Sequence, residues 1–151
     1  MSTLSHTVTS LVEAPASAVF EFLTDPLAVG RWALASARSA PSELPGIYVG
    51  RSLFDGSRNY FKLKAHPELL LVEYSVGPHP DDLRPRIRAQ VIRPESVGLG
   101  PSNCYLTLIA WRPAGMPDSR WSRLCATHEV EMWLIKEQIE AVAKGTPGRL
   151  G

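Results

Sequence analysis

The fold of this chain is decided by residues 119–143, SRWSRLCATHEVEMWLIKEQIEAVA, which carry its one long helical pattern. Asp118 precedes this pattern as the expected N-cap, and Gly145 follows its end. Glu140 and Lys144 are expected to form an i,i+4 ion pair in the last turn. At 1.5 Å per residue, roughly 25 residues extend about 37 Å, so the predicted helix is long enough to cross a whole sheet.

One face of this predicted helix is apolar. At 100° per residue, its apolar side chains and one His fall inside an arc about 100° wide, and we expect that arc to be buried. The members of the arc are Trp121, Leu124, Cys125, His128, Met132, Ile135, Ile139 and Val142. Val130, Trp133 and Leu134 lie on the opposite side, which predicts a Trp that faces solvent, where it forms a homodimer contact or is covered by a loop.

Upstream of the helix, short apolar or alternating runs are separated by turns rich in Pro and Gly. Short separators of this kind favour an antiparallel meander. We predict six strands in this part of the chain, over residues 34–39, 47–54, 59–65, 69–76, 86–93 and 104–111.

The alternation within these strands indicates a sheet that is covered on one face. In two of the strands, charged or polar residues alternate with apolar ones, and we expect the polar set to face water. This set is Lys62, Lys64, Arg86, Arg88 and Gln90. In the last strand both alternating sets are apolar enough to be buried, and we expect the set that contains Leu106 and Leu108 to face the long helix.

The N-terminal part predicts a strand over residues 6–12 and then two short helices. The second helix, over residues 26–31, has Asp25 as its expected N-cap. The stretch 11–26, LVEAPASAVFEFLTDP, followed by Trp32, resembles the start of START-like, or Bet v 1-like (SRPBCC), proteins. The element order over residues 4–144 is similar to theirs, and residues 110–117, AWRPAGMP, resemble the polyketide cyclase/dehydrase-like group.

The predicted class is therefore α+β, with the helix-grip fold: a curved antiparallel sheet of about seven strands, two short helices and one long C-terminal helix. We expect a single domain over residues 1–145 and a flexible tail over residues 146–151. The resemblance implies a cavity between the sheet and the long helix that binds a lipid, a polyketide or another apolar small molecule. A completely packed core is the alternative interpretation of the same pattern.

Composition argues against several other functions. A chain of 151 residues with a formal charge of +1 has too weak a field to gather nucleic acid. No apolar run approaches the roughly 18 residues that a membrane span needs. The two cysteines and the absence of a leader-like start indicate a reducing, cytoplasmic setting. We expect no metal and no other cofactor, because the chain has no Cys-x-x-Cys pattern, P-loop or Gly-x-Gly-x-x-Gly motif.

His128 is the main candidate for chemistry, because it lies in the middle of the apolar arc. In a cavity its imidazole could bind a ligand or act as acid and base, and the alternative is a core His held by a strand carbonyl or water. Tyr74 lies on the presumed inner face and could donate to a ligand carbonyl, or could be a packed aromatic with its hydroxyl hydrogen-bonded. These two residues are the candidate catalytic pair if the protein is a cyclase- or aromatase-like enzyme rather than a carrier.

The remaining predicted ligand contacts are an arginine and a set of wall residues. Arg51 is in phase with apolar neighbours, so it could enter the open end and pair with an anionic ligand group or with Glu73, or it could be an exposed strand charge. The wall residues are Phe54, Phe61, Leu63, Leu106, Leu108, Cys125 and Met132. The sequence thus leaves three hypotheses: a binding protein, an enzyme, or an interaction module that uses Trp133.

Overall fold

A computed structural model describes residues 3–145, so the predicted tail lies outside the described residues. The chain forms the predicted order of one strand, two short helices, six strands and a long helix. The helices are α1 (Ala16–Leu23), α2 (Pro26–Val29) and α3 (Asp118–Ala143). The strands are β1 (Ser5–Val12), β2 (Ala37–Pro41), β3 (Tyr48–Arg51), β4 (Arg58–His66), β5 (Leu71–Gly77), β6 (Arg84–Ile92) and β7 (Cys104–Trp111).

The strands form one antiparallel sheet in the order β1-β7-β6-β5-β4-β3-β2. The first strand therefore pairs with the last, from Ser5 opposite Trp111 to Val12 opposite Cys104. The sheet curves and α3 packs on its inner side, which confirms the predicted α+β helix-grip architecture. In β7 the set with Leu106 and Leu108 is the buried one, as predicted.

The helix termini confirm one predicted cap and correct another. The Asp25 carboxylate accepts a hydrogen bond from the Leu27 N–H at 3.0 Å, which makes it the N-cap of α2. At α3, however, Pro117 is the N-cap and Asp118 is the first helical residue. The Asp118 carboxylate accepts a hydrogen bond from Arg112 at 2.7 Å. A carboxylate in this first turn still interacts favourably with the positive end of the helix dipole.

The prediction that Glu140 pairs with Lys144 is also wrong. Glu140 pairs with Lys136, one turn earlier, and also accepts a hydrogen bond from the backbone N–H of Glu13 at 2.9 Å. Lys144 instead lies 3.6 Å from the Glu13 carboxylate. These contacts tie the end of α3 to the segment that joins β1 to α1.

The buried face of α3 follows the predicted arc over most of its length and departs from it at the end. Trp121, His128, Met132, Ile135 and Ile139 are buried. Val142, which was expected in the same arc, is 70% exposed. In the last turn the buried side rotates toward Glu140, and this rotation leaves Val142 on the outer side of the helix.

The outer face of α3 carries a large apolar side chain, as predicted. Trp133 is 74% exposed, and Val130 beside it is half-exposed. The prediction that Leu134 lies on this outer side is wrong, because Leu134 is half-buried and packs against the core. A homodimer contact through this face stays a prediction. No helix in the part of the chain from residue 3 to residue 145 is both long and apolar enough to cross a bilayer.

Candidate functional site

A cavity of about 380 Å³ lies between the sheet and α3, so the grip is hollow in this region. This volume is at the lower end of the roughly 300–1,000 Å³ found for small-molecule sites. The inner wall is formed by buried side chains from α2 and the segment after it, from several strands and from α3. Its apolar and aromatic members are Val29, Trp32, Phe61, Tyr74 and Leu108.

The cavity opens at the end of the sheet that faces the start of α3. The lining residues at this end are exposed, whereas those of the inner wall are buried. Phe54 lies at the opening, and the guanidinium of Arg123 stacks on its ring at 4.3 Å from the centroid. The exposed lining residues include Phe54, Asp55, Ser57, Arg58, Pro78, Arg120 and Arg123. The cavity is therefore open to solvent at this end.

His128 projects from the middle of α3 into the cavity wall and is 3% exposed. Its Nδ1 atom has no hydrogen-bond partner among residues 3–145, so no strand carbonyl holds the imidazole through this atom. Burial, together with smaller contributions from the neighbouring His6 and Arg86, lowers the pKa of His128 to about 4. The imidazole is therefore neutral at pH 7 and can accept or donate a hydrogen bond.

Glu131 lies one helical turn after His128, lines the same cavity and is 6% exposed. Its carboxyl accepts a hydrogen bond from the backbone N–H of Leu34 at 2.8 Å. Burial raises the pKa of Glu131 to about 8 despite this hydrogen bond. Sequence reasoning did not select Glu131, although its i+3 spacing from His128 placed it on the same face. Between about pH 4 and pH 8, both side chains are predominantly neutral.

We expect Glu131→Gln to change how stability depends on pH. The folded pKa of about 8 exceeds the unfolded value of 4.5, so the folded wild type holds an extra proton between these values. Its free energy of unfolding therefore falls as pH rises through this window, by at most about 1.4 kcal/mol per pH unit from this group. In denaturant titrations between pH 5 and pH 8, the free energy of unfolding of the variant should increase relative to that of wild type as pH rises.

The control for this prediction is Glu137→Gln, which removes an exposed carboxyl from the same helix. The control should follow the wild-type pH dependence. Parallel curves for wild type, Glu131→Gln and Glu137→Gln would contradict a buried, neutral Glu131.

Tyr74 is buried in the inner wall, and its phenol is already engaged. Its hydroxyl donates a hydrogen bond to the carbonyl of Leu23 at 2.7 Å, and its ring meets Trp32 edge to face with centroids 5.9 Å apart. Burial raises the pKa of Tyr74, so the phenol stays neutral. Of the two interpretations of Tyr74, the hydrogen-bonded packed aromatic is the observed one. Tyr74 contributes its ring to the wall and ties β5 to α1.

Three polar groups in the wall were not expected from the sequence. Trp32 is 5% exposed, and its Nε1 atom has no partner within the described part of the chain. Asn59 donates a hydrogen bond to the Ser36 hydroxyl at 2.6 Å, and both side chains line the cavity. Gly50 of β3 makes this arrangement possible, because a Cβ there would lie 2.3 Å from the Ser36 carbonyl oxygen.

The prediction that all the charged residues of β6 face water is wrong for Arg86. In the β5–β6 pairing, Tyr74 lies opposite Ile87 and Ser75 lies opposite Pro85, so Arg86 is the extra residue of a β-bulge. A bulge re-aims the side chain of its extra residue. Arg86 is consequently half-buried and lines the cavity next to Ile87, whereas Arg88 is exposed and stacks on the Trp111 ring. Burial and the charge of Arg120 lower the pKa of Arg86.

The predicted site residues are divided by the structure into two groups. Phe54, Phe61, Tyr74, Leu108 and His128 are brought together around the cavity. The other five lie elsewhere.

Arg51, the predicted anion contact, is exposed outside the cavity. It donates a hydrogen bond to the carbonyl of Gly56 at 3.1 Å, because β3 ends at Arg51 and the chain turns there. Its proposed partner Glu73 contacts His66 instead, at 3.0 Å. Arg51 therefore has a structural contact within the hairpin.

Four residues that were predicted to line the cavity lie outside its lining. Leu106 and Met132 lie in the packed core, and Leu63 packs against it, because they lie away from the hollow end of the grip. Cys125 lies at the edge of the buried face and lines a separate open groove with His6 and Trp121. Burial raises the pKa of its thiol, and the nearby Glu129 raises it further.

A curved seven-stranded antiparallel sheet, a long C-terminal helix across it and a cavity between them define the helix-grip fold of START-like, or Bet v 1-like, proteins. Solved structures confirm this assignment of the fold. A START superfamily protein from Mycobacterium smegmatis superposes with a TM-score of 0.65 at 14% identity, covering 91% of this chain and 98% of that chain.

Two further structures have the same fold. The Zhui aromatase/cyclase from Streptomyces sp. R1128 gives a TM-score of 0.64 at 18% identity, covering 95% of this chain and 98% of that chain. The Aha1 dimer from Colwellia psychrerythraea gives 0.65 at 14% identity, with coverages of 91% and 97%. No protein-family model matches the chain, and no curated protein matches it. The similarity at these identities is one of fold.

Proposed function

We propose that this protein binds an apolar small molecule in the cavity between the sheet and α3. The observation that carries the proposal is the cavity itself, about 380 Å³ in volume, walled by buried aromatic and aliphatic side chains and open at one end. Sites of this kind are the usual location of small ligands. The START-like neighbours share the architecture that encloses it.

The apolar wall would supply most of the binding energy, and a few polar atoms would orient the ligand. Burying apolar ligand surface contributes about 25 cal/mol per Å². The Nε1 atom of Trp32 and the Nδ1 atom of His128 lack partners among the described residues. An unsatisfied buried polar group costs about 1–3 kcal/mol. A ligand that hydrogen-bonds to either atom removes part of this cost, and its binding free energy becomes more favourable by that amount.

Titration with N-phenyl-1-naphthylamine tests the proposal. This probe is neutral and aromatic, and its fluorescence rises when it leaves water for an apolar site. We expect saturable binding of one molecule per chain, with competition from unlabelled apolar compounds. A linear, non-saturating increase for the folded protein would contradict a ligand-binding cavity.

A second candidate function is proton-transfer catalysis of the cyclase or aromatase type. The observation in its favour is the pair of His128 and Glu131, which lie one turn apart on the cavity and are both neutral at pH 7. The protonated carboxyl of Glu131, with a pKa of about 8, is well matched to donate a proton at pH 7, whereas the lowered pKa of His128 makes its neutral imidazole a weaker proton acceptor. One structural neighbour is an aromatase/cyclase.

For this second function we expect His128→Ala to lower kcat by at least about tenfold, less than the usual contribution of about 10²–10⁴-fold from a general acid or base, because the lowered pKa of His128 makes it a weaker base. Turnover of a poly-β-ketone substrate is the measurement, with thermal unfolding to show that the variant folds. Glu129→Gln, an exposed neighbour on the same helix, is the control. Turnover that is unchanged in His128→Ala would reject the assignment.

A further inference from the structure

Four arginines surround the outer part of the cavity. They come from three separate elements, β4, β6 and α3, and converge on one opening. We call them the mouth arginines: Arg58, Arg86, Arg120 and Arg123.

The positive charge at this opening exceeds the negative charge that the protein places beside it. No carboxylate of residues 3–145 forms an ion pair with a mouth arginine within 4.0 Å. The lining carboxylates are Asp55 and Glu131. Asp55 accepts hydrogen bonds from the N–H and the hydroxyl of Ser57, at 3.0 Å and 2.6 Å. These bonds and the charge of Arg123 lower the pKa of Asp55, so its single carboxylate offsets part of the charge of the four arginines. Glu131 lies in the inner wall and is predominantly protonated at pH 7. The opening therefore carries a net positive charge.

Two of these placements are unfavourable in the free protein. The β-bulge turns Arg86 into a half-buried position near Arg120, so two like charges interact there. Arg120 lies in the first turn of α3, where the helix dipole already places positive potential and basic residues are disfavoured. Departures from local preference are expected where a site requires them.

We propose that the ligand of this cavity is an amphipathic anion, with an apolar body against the inner wall and a carboxylate, sulfonate or phosphate held by the mouth arginines. This inference rests on the proposed binding function and names the class of ligand. Arginine presents a planar set of donors that matches these oxyanions, and charge-assisted hydrogen bonds are the stronger kind. An anion at the opening would also relieve the repulsion between Arg86 and Arg120 and would meet the positive end of α3.

Two probes with the same apolar body separate this inference from the proposed function. 8-Anilinonaphthalene-1-sulfonate carries one sulfonate, and N-phenyl-1-naphthylamine is the same body without it. We expect the sulfonate probe to bind at least about tenfold more tightly at low salt. Added NaCl should reduce this preference, because it screens exposed charges, and should leave the affinity for the neutral probe nearly unchanged.

The double variant Arg86→Gln/Arg120→Gln should lose the preference for the sulfonate probe and keep its affinity for the neutral probe. Arg88→Gln is the matched control, since Arg88 lies on the same strand but faces solvent. Arg86→Lys keeps the charge and should retain most of the preference. If the double variant does not fold, the single variant Arg120→Gln gives the test, because Arg120 is exposed and its loss should lower the preference for the sulfonate probe; an unchanged preference would count against the assignment.

The outcomes distinguish the two proposals. Equal affinity of wild type for both probes would overturn the anionic class while leaving the binding function intact. A preference that survives in Arg86→Gln/Arg120→Gln would overturn the assignment to the mouth arginines. Failure of both probes to bind would overturn the proposed function itself.

Discussion

Ile135→Ala is expected to lower the free energy of unfolding by about 2–5 kcal/mol, the usual cost of truncating a fully buried aliphatic side chain. Ile135 is 0% exposed and lies in the core on the face of α3 that packs on the sheet. The loss combines the transfer free energy of the removed methyl and methylene groups with the cavity left behind. Urea denaturation followed by circular dichroism measures it.

Val142→Ala is the matched control for this prediction. Val142 is an aliphatic residue of the same helix that is 70% exposed, so its truncation should change the free energy of unfolding by less than about 0.5 kcal/mol. Similar losses for Ile135→Ala and Val142→Ala would contradict the packing of α3 on the sheet described above.

Leu124→Trp should weaken binding of N-phenyl-1-naphthylamine by occupying part of the cavity. Leu124 is half-buried and lines the cavity from the second turn of α3, so a larger side chain at this position enters the ligand's space. A steric conflict of about 1–3 kcal/mol corresponds to a roughly 5–150-fold loss of affinity. Fluorescence titration of the folded variant is the measurement.

Val130→Trp introduces the same side chain on the outer face of the same helix, where Val130 is half-exposed. Its affinity for the probe should stay within about twofold of wild type. Equal affinities for wild type, Leu124→Trp and Val130→Trp would show that the probe binds somewhere other than the cavity.

The architecture could be predicted because its signals are local and periodic. The apolar arc of α3 and the alternation of Phe61 with Lys62 and Lys64 in β4 each indicate which side chains are buried, independently of distant contacts. The turns rich in Pro and Gly marked the strand boundaries within a few residues. The predicted strand over residues 47–54 is longer than β3, because the chain turns after Arg51, where the Ser52 hydroxyl accepts a hydrogen bond from the Phe54 N–H and the Asp55 carboxylate accepts one from the Ser57 N–H.

The parts of the site that escaped prediction depend on contacts between distant segments. Arg86 points inward because a bulge interrupts the pairing of β5 with β6, and alternation along β6 alone indicates the opposite face. Glu131 is buried against Leu34, about a hundred residues earlier in the chain. A charged residue on the apolar side of a helix has no periodic signal that distinguishes a buried carboxyl from one at the helix edge.

The sequence pattern also could not predict which inward-facing residues line the cavity and which lie in the packed core. Leu106 and Leu108 belong to the same inward-facing set of β7, but Leu108 lines the cavity and Leu106 lies in the packed core. Periodicity specifies the face of a strand on which a side chain lies. The position of the hollow along that face depends on how α3 and the short helices approach the sheet.

The central claim, that the cavity between the sheet and α3 is a ligand site, is tested most directly by NMR titration of the ¹⁵N-labelled protein with N-phenyl-1-naphthylamine. We expect the saturable amide shifts to cluster on segments that line the cavity, around Trp32, Phe61, Tyr74, Leu108 and His128. Shifts confined to the outer face around Trp133, with the cavity segments unchanged at saturation, would contradict it.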